Sequence, residues 1–145
     1  MIISIGELEN ARKMFFLLQD MKLQIEYAYN TYHSPDMTVV RNQNNNHSDA
    51  DQTLNAITKI EKLREYREIL LDQFFGYQLH VMDKIQDPCL RALIIGYYFA
   101  GMKWKDCRVP GSPYSKQKMI EYIESHYKEL NSDECQTENV TRNNS

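Results

Sequence analysis

Between Asp87 and Leu130 the chain sets Pro88, Gly101, Pro110, Gly111 and Pro113 at intervals that leave room for three short helices and little else. Pro88 has the fixed φ and missing N–H that suit a first helical turn, and Asp87 before it can accept from free backbone donors. A helix is predicted to begin there. Leu90, Leu93, Ile94, Tyr97 and Tyr98 recur along it at spacings of three and four. Gly101 follows where a left-handed turn needs a residue without Cβ, so this helix is predicted to end near Ala100. Trp104, Cys107 and Val109 form a short second apolar set, and residues 110–113 forbid a continuous helix. Ser115 can cap a last helix on which Met119, Tyr122, Ile123, His126 or Tyr127, and Leu130 share one side. The expectation is a three-helix unit over 87–130 whose last helix projects from a tight turn.

Upstream the pattern is simpler. Leu8, Ala11, Phe15, Leu18, Met21 or Lys22, Ile25, Tyr29 and Tyr32 follow helical spacing without an internal Gly or Pro, predicting one long helix. Residues 33–49, with Pro35 and the run Asn42-Gln43-Asn44-Asn45-Asn46, read as a polar, mobile connector. Leu54, Ile57, Ile60, Leu63, Leu70, Phe74, Tyr77 and Val81 make a second stripe on a helix from about Ala50 to Ile85. Gly76 interrupts it at a cost of about 1 kcal/mol relative to Ala, so a bend or a close helix contact is expected there. Two such helices form an αα-hairpin resembling a coiled coil, over residues 1–86. The aromatics Phe15, Phe16, Phe74, Phe75 and Tyr77 would stay wet on an isolated hairpin. The hairpin therefore folds onto the C-terminal unit or pairs with a second copy. The segment 131–145, rich in Asn, Ser, Glu and Thr, reads as a disordered tail.

Charge narrows the partners. A net charge of −3 argues against indiscriminate binding to nucleic acid. From Gly101 to Lys118, however, Lys103, Lys105, Arg108, Lys116 and Lys118 stand against Asp106 alone, a local net charge of +4. The basic residues collect on the three-helix unit. Cys89, Cys107 and Cys135 lack the short paired spacings of a zinc site or a disulfide framework and read as free thiols of a reducing compartment. No leader and no apolar run of membrane-spanning length is seen, which predicts a cytoplasmic protein without membrane attachment. Asn139-Val140-Thr141 matches a glycosylation sequon that this location makes irrelevant.

At these residues the chain resembles the promoter-reading C-terminal module of bacterial sigma factors and, more closely, the small phage transcriptional regulators of the RinA type. The pattern of that group, Asp-Pro-x-x-Arg-x-Leu-Leu-x-x-x-Tyr-Ile-x-Gly-x-Ser-Trp, reads here as Asp87, Pro88, Arg91, Leu93, Ile94, Tyr98, Phe99, Gly101, Lys103 and Trp104. The later Tyr-Ser pair that opens the recognition helix reads as Tyr114-Ser115. Two long helices joined by a polar loop precede the helix-turn-helix in that group too, so the resemblance runs from about Leu8 to Leu130. The chain departs from the pattern at Lys103, where a capping Ser or Thr is usual, and at Cys107-Arg108, where Ile-Ala is usual. The stretch from Trp104 to Ser115 is one residue longer than usual and carries two extra prolines.

The resemblance implies an all-α protein: a long N-terminal αα-hairpin, then a three-helix sigma region-four-like helix-turn-helix. It implies a phage-encoded, DNA-binding transcription regulator of late genes, acting in the bacterial host cytoplasm. Its partners would be double-stranded DNA, RNA polymerase and a second copy of itself through the hairpin. The candidate DNA-binding residues are Lys103, Lys105, Arg108, Ser115, Lys116, Gln117, Lys118 and Glu121. Gln117 has the donor and acceptor that read adenine, Lys118 can donate to guanine or a phosphate, and Glu121 can accept from cytosine or repel the backbone. Trp104 reads as a core anchor, and Tyr97 and Tyr98 as core or core-edge residues.

Catalysis is not expected. His33, His47, His80 and His126 are scattered, with no His-x-x-x-His or Cys-x-x-Cys pair to gather a metal. His126 reads as core-edge and the others as exposed. The five glycines form no phosphate-binding loop, no Gly-x-Ser-x-Gly elbow occurs, and carboxylate pairs such as Glu65 and Glu68 lie on helix surfaces. No cofactor, metal or small-molecule substrate is predicted. The competing reading is a non-catalytic adaptor or inhibitor that binds a host protein through a degenerate helix-turn-helix scaffold, favoured by Glu121, Glu124 and Glu129.

Overall fold

The computed structural model describes residues 1–33 and 47–132. Most of the expected connector, Cys135, the sequon and the tail beyond residue 132 lie outside them. Among the described residues every regular element is helical: α1 (Ile5–His33), α2 (His47–Lys84), α3 (Pro88–Ile94) with a π-helical turn over Ile95–Phe99, α4 (Trp104–Cys107), α5 (Lys116–Ser125) and α6 (Tyr127–Leu130). The protein is all-α. Among the described residues no helix is long and apolar enough to cross a membrane.

The chain divides into two compact units, one of Met1–Phe16 with Phe74 to the last described residue, the other of Leu17–Gln73. Residues 1–86, expected as one arm, thus contribute to both units, and the first and last turns of that arm belong with 87–130.

Within the unit 17–73, α1 buries Leu18, Met21 and Ile25, and α2 buries Ile60 and Leu70. The Arg67 Nε donates to the Leu18 carbonyl at 3.0 Å, laying the two helices side by side. Tyr29 and Leu54, expected on the buried stripes, are exposed, and the Arg64 guanidinium stands 5.8 Å from the Tyr29 ring centre. Leu23, Tyr27, Tyr66 and Ile69 are exposed as well.

The other unit holds the larger core. Ile3, Leu8, Val81, Ile85, Leu90, Leu93, Ile94, Tyr98, Met119 and Ile123 are all nearly or wholly shielded from water. Burial of such side chains is worth about 1.5–3 kcal/mol each before ordering entropy is set against it. Of the aromatics on α2, Phe74 and Tyr77 lie 5.5 and 5.8 Å from the Phe99 ring, whereas Phe75, and Phe16 on α1, are exposed. Gly76 sits inside an uninterrupted α2.

Helix α3 starts as its sequence requires. Asp87 is its N-cap, with Oδ1 accepting from the Cys89 N–H at 3.0 Å. Arg91, four residues on, turns back so that its Nε donates to the Ile85 carbonyl at the end of α2. The helix does not simply run to Ala100. It widens at Ile95, where the Ala100 N–H reaches the Ile95 carbonyl and the Met102 N–H the Gly96 carbonyl. Such π-helical segments occur mostly as single turns within α-helices. Gly101 then takes φ +65°, the left-handed conformation expected of it.

The last helix is also broken where one rod was expected. His126, with φ −102° and ψ 17°, separates α5 from α6. Its Nδ1 lies 2.9 Å from the Tyr122 carbonyl and 3.0 Å from Ser125 Oγ, so side chains crowd the carbonyl that closes the helix. Helix α6 ends on Asn131, which is buried and bonded to Ile3, rather than opening a disordered tail.

Candidate nucleic-acid interface

The eight candidate residues come from two neighbouring stretches. Lys103 is the N-cap residue of α4, and having no acceptor it makes no side-chain cap bond. Lys105 lies on α4 and Arg108 just beyond, and all three cations are exposed. Arg108 points outward while Cys107 beside it is buried. A Cβ on Gly96 would lie 2.9 Å from the Cys107 Cβ, so α4 packs on α3 at a distance only glycine permits. Burial pushes the Cys107 thiol above its usual range, the reverse of what a reactive thiolate needs.

Trp104 is half-buried rather than a core anchor. A single-turn helix at the surface has one inward position, and Cys107 occupies it. The indole instead lies edge-on to the Tyr97 ring at 6.0 Å. Tyr98 is fully buried and Tyr97 half-buried, as their spacing implied.

The turn from Val109 to Tyr114 is closed by the Ser112 N–H on the Val109 carbonyl, with Gly111 at φ +79°. The Tyr114 hydroxyl donates to Asp87 Oδ2 at 3.0 Å, so one carboxylate caps α3 and fastens the approach to α5. Partial burial, then the bond to Asp87, raises the Tyr114 pKa and keeps the hydroxyl a donor at neutral pH. Asp87→Ala is expected to cost about 2 kcal/mol, the sum of a lost cap and a lost charged hydrogen bond, in urea denaturation. Asp87→Asn should recover most of it, since Asn caps as well as Asp. Equal losses in the two variants would show that capping is not the dominant contribution.

Ser115 caps α5, its Oγ accepting from the Lys118 N–H at 3.2 Å. Met119 and Ile123 turn inward and are fully buried. At 100° per residue the opposite side carries Gln117, Lys118, Glu121, Glu124 and Ser125, all exposed. Gln117 Nε2 approaches Glu121 Oε1 at 3.3 Å, pairing the two candidate base readers. Lys116 is exposed too, and its Nζ lies 4.7 Å from the centre of the Tyr97 ring. The outward side of α5 therefore bears one cation against two carboxylates. Most of the positive charge lies on the flank formed by Lys103, Lys105 and Arg108.

Arg12 was not among the candidates. Its Nη1 donates to the Tyr97 carbonyl and, at 2.9 Å, to the Met102 carbonyl, and its guanidinium stands 4.1 Å from the Tyr97 ring centre. The signal was a cation one helical turn beyond Leu8, inside the apolar stripe of α1. His126 stacks on Tyr122 at 4.0 Å and is half-buried, as a core-edge residue would be. His80 is half-buried rather than exposed, and the side chains of His33 and His47 lie outside the described residues. Among the described residues no group of His, Cys, Asp and Glu is arranged to hold a metal ion.

Compared with known proteins, the chain matches no family model, no curated protein and no solved structure at a significant level.

Proposed function

We propose that the protein is a DNA-binding transcription regulator of the phage type, built on a sigma region-four-like helix-turn-helix formed by α3, α4 and α5. In this reading α5 enters the major groove, Gln117 and Lys118 meet base edges, and Lys103, Lys105 and Arg108 set register on phosphates. The observation that carries it is the capped start of α5, with Gln117 and Lys118 facing solvent beside that exposed cationic flank. RNA polymerase is the expected protein partner. The apolar residues exposed between 17 and 73, Leu23, Tyr27, Leu54, Tyr66 and Ile69, suit a second copy, and a dimer would double the reading surface.

Glu121 and Glu124 beside Lys118 favour a second reading, in which the same scaffold is a non-catalytic adaptor or inhibitor of a host protein. A mobility shift on parental genomic DNA across a salt series separates the two. The regulator reading expects selective binding whose log affinity falls steeply with log salt. Lys118→Ala should then change sequence preference, whereas Lys105→Ala should mainly flatten the salt slope by about 0.9. No DNA retained at low salt would select the adaptor.

A further inference from the structure

The first helix reaches the start of α5 through one aromatic ring. Arg12 projects from α1 and its Nη1 takes two carbonyls, those of Tyr97 and Met102, which flank the left-handed Gly101. Its guanidinium also lies against the Tyr97 ring at 4.1 Å and is 5.3 Å from the Phe16 ring. The same Tyr97 ring receives the Lys116 ammonium at 4.7 Å and the edge of Trp104 at 6.0 Å. Tyr97 in turn meets Tyr98, fully buried beneath it, edge-on at 4.9 Å.

Each contact has a direction of dependence. A helix end that has widened to a π turn has carbonyls without intrahelical partners; the two N–H groups of Arg12 Nη1 take the Tyr97 and Met102 carbonyls while the planar guanidinium lies on the Tyr97 ring, a stacking that a compact ammonium does not reproduce. Arg12 therefore fixes where Tyr97 sits. The ring then holds Lys116 by attraction between its π face and the ammonium, an interaction worth most when the ring is not free to turn. Lys116 is the first residue of α5; it is exposed, and it is the cation of that helix whose ammonium meets the Tyr97 ring.

We propose that Arg12 is a positioning residue for the candidate interface. By clamping the Tyr97 and Met102 carbonyls it holds the Tyr97 ring, and through that ring it orders Lys116 at the entrance to α5. The assignment rests on the DNA-binding reading only for its consequence, a phosphate contact made by Lys116. The coupling itself is a property of the folded chain.

The test uses the full chain with Arg12→Met, Arg12→Lys, Tyr97→Leu, Tyr97→Phe and Lys116→Met, each first checked for wild-type helical content by circular dichroism. Trp104 is the chain's single tryptophan, so its emission reports the ring cluster directly. Arg12→Met should shift that emission in the same direction as Tyr97→Leu and by no more, and the double variant should shift it no further than Tyr97→Leu does alone. Tyr97→Phe, which keeps the ring, should restore what Tyr97→Leu loses. Unchanged emission in Arg12→Met, or additive shifts in the double variant, would overturn the proposal.

Where the wild type binds DNA, Arg12→Met should lower the magnitude of the log affinity against log salt slope by about 0.9, one phosphate contact. Arg12→Lys should lose nearly as much despite keeping its charge, and Arg12→Met should lose nothing more when Lys116 is already Met. Additive slope losses would show that Arg12 touches phosphate itself, and the positioning role would be withdrawn. If the wild type binds no DNA, the functional reading fails alone, and the Trp104 measurements decide the coupling.

Discussion

Gly101→Ala is expected to destabilise the protein by about 3 kcal/mol, from left-handed strain of about 1–2 and overpacking of a similar size. Two independent obstacles meet at this position. The backbone is at φ +65°, where a Cβ crowds its own carbonyl. A Cβ there would also lie 2.4 Å from Phe15 Cε1 and 2.5 Å from Phe15 Cδ1, closer than atoms pack. Withdrawal of Phe15 would also disturb its edge-on contact with Phe16 at 5.4 Å. Gly111 supplies the control: its φ is +79°, yet a Cβ would meet nothing within 4 Å. Gly111→Ala should therefore cost only the backbone part, about 1–2 kcal/mol. Urea denaturation followed by circular dichroism measures both. Equal losses at the two glycines would mean that the Phe15 ring yields freely, and the close packing of α1 under this turn would be lost as an argument.

Gly101 also marks how much of the molecule its sequence discloses. The need for a left-handed residue was legible, because a glycine between the end of one apolar periodicity and the start of another is where a helix closes with φ positive. Pro88 with Asp87, and Ser115 after the paired prolines, were legible for the same reason: φ restriction and capping act within four residues. The long helices were legible because apolar spacing over many turns admits one reading. What was hidden depends on contacts between distant residues. The π turn is joined by Arg12, which takes the Tyr97 and Met102 carbonyls from 85 and 90 positions away. The break at His126 is accompanied by its ring stacking on Tyr122, which no propensity scale weighs.

The candidate interface divides along the same line. That Gln117, Lys118 and Glu121 face outward followed from 100° per residue about Met119 and Ile123, and the structure places all three at the surface. Lys116 could not be assigned this way. It is exposed, yet its ammonium lies against the Tyr97 ring, a partner on another helix that spacing along α5 does not reveal. Asp87 and Tyr114 were each readable as local features, a cap and a residue before a helix. Their hydrogen bond across 27 residues joins them into one device that sets where α5 begins.

Asn131 carries the second large expected effect, and it lies where the sequence reads as featureless polar tail. The side chain is 4% exposed and completes both backbone groups of Ile3: Oδ1 accepts from the Ile3 N–H at 2.8 Å, and Nδ2 donates to the Ile3 carbonyl at 3.0 Å. Nδ2 also reaches the Tyr127 carbonyl at 2.9 Å, holding the last turn of α6. Ile3 is wholly buried, so water has no ready access to either group once the amide is gone. Asn131→Leu is therefore expected to cost about 3–4 kcal/mol, two buried backbone groups at about 1–3 each with partial relaxation. The Ile3 amide, protected from hydrogen exchange in the parent, should exchange rapidly in this variant. Asn131→Asp separates the two bonds. Its carboxylate keeps the acceptor for the Ile3 N–H but sets a second oxygen against the Ile3 carbonyl, which favours the protonated form and raises the folded-state pKa above the ordinary value of about 3.9. A raised pKa adds relative stability below the unfolded value and loses it as pH rises through the folded one. The deficit of Asn131→Asp against the parent should thus be largest at pH 7 and shrink toward pH 4, while that of Asn131→Leu stays constant over the same range. Parallel pH profiles for the two variants would mean that the Nδ2 bond to the Ile3 carbonyl contributes nothing, leaving the end of α6 held by Leu130 and the remaining bonds of Asn131.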